Sequence, residues 1–277
     1  ERIAVRVLLL ALMAAGLVLS ASIPEAFAER GLGFALAFVA IQVGRSLFML
    51  WALGRSNPAN TRNFQRITLW LAASGGFWIA GGLVAPELRL WLWIAAVAIE
   101  YAGPSAGFFV PGLGRSTTSD WDVEGGHLAE RCSAFIIIAL GESIVVIGAT
   151  FAELTWDATV AAGFLLALVA SIVMWWIYFD TGAERGARRI THARDPGRLA
   201  RLAYTYLHLP IVGGIILTAV ANDLLLSHPS DVGTPIERVV VLGGPLIFLF
   251  GNLLVKRAVV GRWSLSHLVG MVLVGAT

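Results

Sequence analysis

The chain is written as long apolar runs separated by short polar breaks. Runs of about twenty apolar residues, enough to cross a bilayer, occupy 4–22, 32–54, 66–85, 89–110, 129–151, 158–180, 198–221 and 237–255, and another begins at 263. Each run is apolar all round, so the one-sided stripe of a soluble surface helix is missing and the buried faces do not show in the pattern. The pattern predicts an all-α fold: a polytopic transmembrane helix bundle of about nine spans, forming one helical domain over residues 1–277. The first run, VLLLALMAAGLVLSASI from Val7, follows Arg6 but is longer than the core of a signal peptide and leads into further apolar runs, so it reads as a retained span. The last, WSLSHLVGMVLVGAT, is too short to cross as it stands, and the C-terminal end therefore reads as truncated.

The breaks carry the orientation. One alternate set holds Arg2 and Arg6; Arg55, Arg62 and Arg66; Arg115 and Arg131; the arginine-rich stretch 185–201; then Lys256, Arg257 and Arg262. The other holds only Arg30, Arg89 and Arg238, beside acids such as Glu25, Glu87, Asp157, Asp223 and Glu237. Basic loops stay on the cytoplasmic side, which puts residue 1 inside. Within the basic stretch, Asp195-Pro196 has the form of a helix N-cap followed by proline at the first helical position. The glycine pairs Gly75-Gly76, Gly81-Gly82, Gly213-Gly214 and Gly243-Gly244 fall within spans and read as helix-packing surfaces.

Composition agrees. Hydrophobic residues make up 57% and charged residues 14%, against roughly 45–50% and about 25% in soluble domains. A scattered net charge of +2 argues against nucleic acid as a partner. Cys132 is the one cysteine, so an internal disulfide and a cysteine-based metal site are excluded. No cofactor signature is present, and the lipid bilayer is the first implied partner.

Against this background four polar residues stand out. Glu142 lies about 16 Å beyond Arg131, Glu100 about 17 Å from Arg89, and Arg45 about 20 Å below the outer end of its run, all near the midplane. His208, in YTYLHLPIVGG, is somewhat closer to the cytoplasm. Intramembrane ionisable groups face the bundle interior with a partner. Arg45 is therefore expected to pair with Glu142 or Glu100, leaving one acid over. Trp78, inside GGFWIAGG, sits mid-span among small residues and is a candidate pocket wall. Pro104, Pro210 and Pro245 interrupt spans, and broken helices free backbone groups to bind ions or substrates. At the cytoplasmic end of the fifth run, His127, Glu130 and Arg131 can share one helical face, and Arg131 returns to nearly the same face as Glu142 after three turns.

These segments carry a family resemblance. The string HLAERCSAFIIIALGESIVVIG at 127–148, with SIPEAF at 22–27, IQVGRSLF at 41–48 and YLHLP at 206–210, resembles the bacterial low temperature requirement A family over essentially the whole chain. The resemblance implies that Arg45, His127, Glu130, Arg131, Gly141, Glu142 and His208 occupy motif positions. It also implies an N-terminal truncation, because family members start further upstream with two more helices.

Three functions stay open. A transporter or channel of the bacterial inner membrane would use Glu142 and Glu100 as proton or cation sites, Arg45 as counter-charge and His208 as a further proton site, with a proton, cation or small molecule as substrate. A structural or sensory membrane protein would use the same groups as a packing lock. A lipid-modifying enzyme would use His127 and Glu130 as acid and base and Arg131 to hold phosphate.

Overall fold

A computed structural model describes residues 2–54, 57–117, 125–180, 195–227 and 234–276. Among them the regular elements are helical: α1 (Arg2–Ser22), α2 (Gly31–Leu53), α3 (Pro58–Leu83), α4 (Pro86–Ser105), α5 (Gly125–Glu153), α6 (Ala158–Phe179), α7 (Pro196–Ala200), α8 (His208–Ser227), α9 (Pro235–Val260) and α10 (Leu265–Gly275). A 3₁₀ turn, Ile23–Glu25, follows α1, and a π turn, Arg201–Tyr206, joins α7 to α8. The chain divides into two compact units, Glu1–Asp120 and Trp121–Thr277.

Six helical segments among the described residues are long and apolar enough to cross a membrane: Ile3–Glu25, Gly31–Leu53, His127–Glu153, Ala158–Phe179, Gly197–Ser227 and Pro235–Val260. The protein is membrane-embedded, but the count of about nine spans is not supported. Helices α3 and α4 have the length, at 26 and 20 residues. Their glycines, serines, tryptophans and charged groups keep them out of the six. Helix α10, at 11 residues, is too short. Helix α4 also stops at Ser105 rather than 110, because Gly107 and Phe108 take φ of 61° and 48° and turn the backbone out of the helical register. Most of the arginine-rich stretch, 181–194, lies outside the described residues.

Local chemistry sets the helix starts. Asn57, Asp157 and Asp195 each accept a backbone N–H three residues on, from Asn60, Val160 and Arg198, which satisfies donors that the first turn leaves open. Helix α9 begins with a full capping box: Thr234 accepts from the Glu237 N–H, and the Glu237 carboxylate accepts from the Thr234 N–H at 2.7 Å. It ends at Gly261, whose φ of 81° is a left-handed cap.

The first unit is cored by rings. Phe34 and Phe38 of α2, Trp78 of α3 and Trp93 of α4 interlock with centroids 4.6 to 6.0 Å apart, beside the small buried residues Ala26, Ala35 and Ala96. The second unit buries Ile136 and Leu140 of α5, Met174 and Tyr178 of α6, Ile211 and Ile215 of α8 and Phe248 of α9.

Helices α8 and α9 meet backbone to backbone through glycine. A Cβ on Gly214 would stand 2.5 Å from the Phe248 nitrogen, one on Gly244 2.7 Å from the Thr218 nitrogen, and one on Gly251 2.8 Å from the Ile211 nitrogen. A Cβ on Gly213, by contrast, would meet nothing within 4 Å. The glycine pairs thus do mark packing surfaces: Gly75, Gly82, Gly214 and Gly244 each face a neighbouring helix. Gly244→Ala is expected to cost about 1–3 kcal/mol through overpacking, whereas Gly213→Ala gains up to about 1 kcal/mol of helix propensity. Unfolding of the purified protein in mixed detergent micelles measures both, and equal effects would refute close approach at Gly244.

Candidate functional site

In the first unit the groups of interest gather on facing sides of α3 and α4. Ser74 and Trp78 are one turn apart on α3 and project along the same face. Both reach a single oxygen of Glu100 on α4: the Ser74 hydroxyl lies 2.9 Å and the Trp78 indole nitrogen 2.9 Å from Oε1. Trp78 is 7% exposed, held by the ring cluster, and its carbonyl accepts from the Trp93 indole at 3.0 Å. The donor it offers Glu100 is therefore fixed by packing.

This arrangement accommodates the acid in either protonation state. As a carboxylate, Glu100 accepts from both the hydroxyl and the indole. As a neutral acid it can donate its own hydrogen to Ser74 Oγ, whose hydroxyl then turns to the Leu71 carbonyl 3.0 Å away. The indole N–H keeps the same acceptor throughout. Among the described residues no cationic side chain forms an ion pair with Glu100.

Arg45 does not take that role. It is exposed on α2 and donates to its own helix, to Gln42 Oε1 at 3.1 Å, so the expected pairing with Glu100 does not form. Among the described residues the buried arginines of this unit are Arg66 and Arg89, which the sequence pattern had marked only as loop charges. Arg89, 5% exposed, donates to the carbonyls of Gly81 and Val84 at the end of α3, and to those of Ala26 and Ala28 in the turn after α1. Helix ends carry carbonyls with no intrahelical donor, and one guanidinium here serves two chain segments. Arg66, 7% exposed, donates to the Leu113 carbonyl and to Asn63 Oδ1 at 2.8 Å, holding the turn after α4 against α3.

In the second unit α5 carries the longest motif. Its buried positions are Ala129, Ile136, Leu140, Ser143 and Ile147. Glu142 lies about 140° around the helix from the stripe of Ile136, Leu140 and Ile147, at 100° per residue, and is exposed. Arg131 is exposed as well. At the start of the helix, His127 Nδ1 stands 3.6 Å from Glu130 Oε2 with both side chains well exposed. The described residues contain no group of three or more His, Cys, Asp or Glu side chains arranged to hold a metal.

His208 is one of the enclosed titratable groups of this unit, at 7% exposure, with Tyr178 at 7% and His267 at 5%. Its Nδ1 lies 2.8 Å from the Ala203 carbonyl and its Nε2 2.9 Å from the Tyr178 hydroxyl. A carbonyl can only accept, so Nδ1 carries the proton; Nε2 of the neutral ring then accepts from Tyr178. The π turn makes this possible. The Leu207 N–H bonds five residues back, to Leu202 at 3.0 Å, and this wider register sets the Ala203 carbonyl under the imidazole five residues on. Such bulges recur at functional sites. The partner, Tyr178, lies on α6, and no local pattern connects it to His208, thirty residues away.

A model of the family described as bacterial low temperature requirement A protein (LtrA) matches residues 1–277. An uncharacterized protein of Rhizobium meliloti (strain 1021) is 45% identical over 274 residues, covering 99% of this chain and 67% of that protein. No solved structure matches the chain. The match spans both units and every residue discussed above, and the chain belongs to the bacterial low temperature requirement A protein (LtrA) family.

Proposed function

We propose that this LtrA-family protein is a multi-pass protein of the bacterial inner membrane, residue 1 on the cytoplasmic side, that conducts or transports a proton or cation. Glu100 is the principal site in the first unit and His208 in the second. Glu142 and Arg45, exposed on their helices, are groups the moving species meets in passing, and His127, Glu130 and Arg131 form the cytoplasmic entrance.

One observation carries the reading: Glu100 sits well inside a helix, takes hydrogen bonds from the neutral donors Ser74 and Trp78, and has no ion pair among the described residues. An ionised acid in a low-dielectric setting is costly without a counter-charge. A proton or a bound cation resolves the imbalance, and the Ser74 hydroxyl supports both states. Arg89 and Arg66 mark the contrast. Their donors are consumed by carbonyls and an amide oxygen, as a packing lock requires, and an arginine does not release its proton in proteins.

The test is reconstitution of the full chain in vesicles with a pH-sensitive dye inside and an imposed proton or monovalent-cation gradient. Glu100→Gln keeps the hydrogen bonds of the neutral form and abolishes the charge change. Its flux is expected to fall by about tenfold or more, the change that about 1.4 kcal/mol of added barrier produces. Equal flux in wild type and Glu100→Gln would overturn the assignment.

For the second unit, Tyr178→Phe leaves His208 Nε2 buried with no donor and is expected to destabilise the protein by about 1–3 kcal/mol. The same variant is expected to slow flux in the vesicle assay. Lost stability with unchanged flux would assign His208 to packing and remove it from the pathway.

A further inference from the structure

The second unit contains a crevice apart from the groups above. On α6, Ala162, Leu166 and Ala170 recur every fourth residue and so share one face. This face, the stripe of α8 around Asn222 and the part of α9 at Pro245 enclose about 740 Å³. That volume is within the range of about 300–1,000 Å³ typical of ligand sites. The mouth carries Leu166 and Leu225, which are 70% and 51% exposed and continue into the apolar belt of Val169, Ile216 and Val220. A membrane-embedded unit presents that belt to hydrocarbon, so the crevice opens toward lipid.

Its wall contains one unfulfilled group. Asn222 Nδ2 is buried, and no protein atom among the described residues accepts its hydrogens. The neighbouring polar groups are already engaged: the Thr218 hydroxyl donates to the Gly214 carbonyl at 2.8 Å, and Asp223 accepts from Thr150 of α5 at 2.5 Å. A buried amide donor with no acceptor calls for one from outside the chain. The χ2 torsion of asparagine is broad, so rotation turns the amide into the crevice.

We propose that this crevice binds one acyl chain of a bilayer phospholipid, with the chain packed along the alanine face of α6 and its ester carbonyl accepting from Asn222. The occupant follows from the two halves of the site. The lining is mostly apolar and opens onto the hydrocarbon belt, which selects a tail. The buried donor of Asn222 selects an ester oxygen, a group present at the head of every such tail. This site is independent of the proton or cation pathway, and its test reads lipid contact rather than flux.

The full chain is reconstituted in bilayers of phosphatidylethanolamine and phosphatidylglycerol doped with phosphatidylglycerol carrying a diazirine in its acyl chain. Irradiation and peptide mapping then locate the adducts. Labelling of 158–170 and 218–225 is expected to exceed that of 135–146, an equally apolar stretch in which Ile138 and Val145 are 66% and 64% exposed. Ala162→Trp, which fills the crevice, is expected to cut labelling of 218–225 by about tenfold, equivalent to about 1.4 kcal/mol of binding. Asn222→Leu, close in size, is expected to reduce it less but measurably, while Leu166→Ala at the mouth leaves it in place. Size-exclusion elution and circular dichroism matching the parent establish folding, and Ala170→Phe replaces Ala162→Trp if the latter misfolds. Labelling of the crevice no higher than that of 135–146, or unchanged in the filled variant, overturns the site. Labelling unchanged in Asn222→Leu overturns the ester contact.

Discussion

Backbone and side-chain polar groups buried away from water must find their hydrogen-bond partners within the protein, and the architecture of both units follows from how that requirement is met. Regular helices satisfy their own interiors. The remaining problem lies at interruptions: the end of α3, the turn after α1, the turn after α4, and the π turn before α8. Arg89 and Arg66 close the first three with guanidinium donors, and the His208 imidazole closes the fourth. Each of these side chains is buried because the carbonyls it serves are buried.

The chemistry of the closing group separates scaffold from working site. An arginine with donors spread over several carbonyls is held in one state, since it has no acceptor and keeps its charge. A histidine whose second nitrogen meets a tyrosine hydroxyl, or a glutamic acid whose oxygen meets a serine hydroxyl, sits opposite a group that both donates and accepts. The hydroxyl can reverse its role when the proton count changes. Ser74 has the Leu71 carbonyl within reach for that reversal. Close glycine packing serves the same end from the other direction, because Gly214, Gly244 and Gly251 hold α8 and α9 together through contacts that do not change with charge.

Much of this was legible in the sequence. Long apolar runs gave the helices, the glycine pairs gave the packing faces, and Asp195-Pro196 gave a helix start that the structure bears out. The HLAER and LGE segments gave the family. The span count was less legible because length and apolarity are separate requirements: α3 and α4 have the length but hold the polar groups that build the first unit's interior. Rotation about a helix was not legible at all. Where every face is apolar, no moment identifies the buried one, and Glu142 lies about two fifths of a turn from the stripe that packs. Depth along the helix was countable; direction was not.

Partner choice failed for a related reason. Opposite charges at similar depth suggested that Arg45 would find Glu142 or Glu100, yet Glu100 instead receives neutral donors, and Arg45 turns to Gln42 on its own helix. Coulomb attraction in a dry interior is strong, but so is the cost of desolvating both ions, and a buried pair gains little over well-placed neutral hydrogen bonds. Neutral donors suit a group that must change charge, since an arginine at contact would hold the carboxylate ionised. Under the proposed function, the lack of an ion pair to Glu100 among the described residues is a condition for proton or cation exchange rather than a defect in packing. By the same logic, the Ser74–Trp78 spacing on α3, a hydroxyl and an indole one turn apart facing an acid on the next helix, is a more informative signal in such chains than a matching charge.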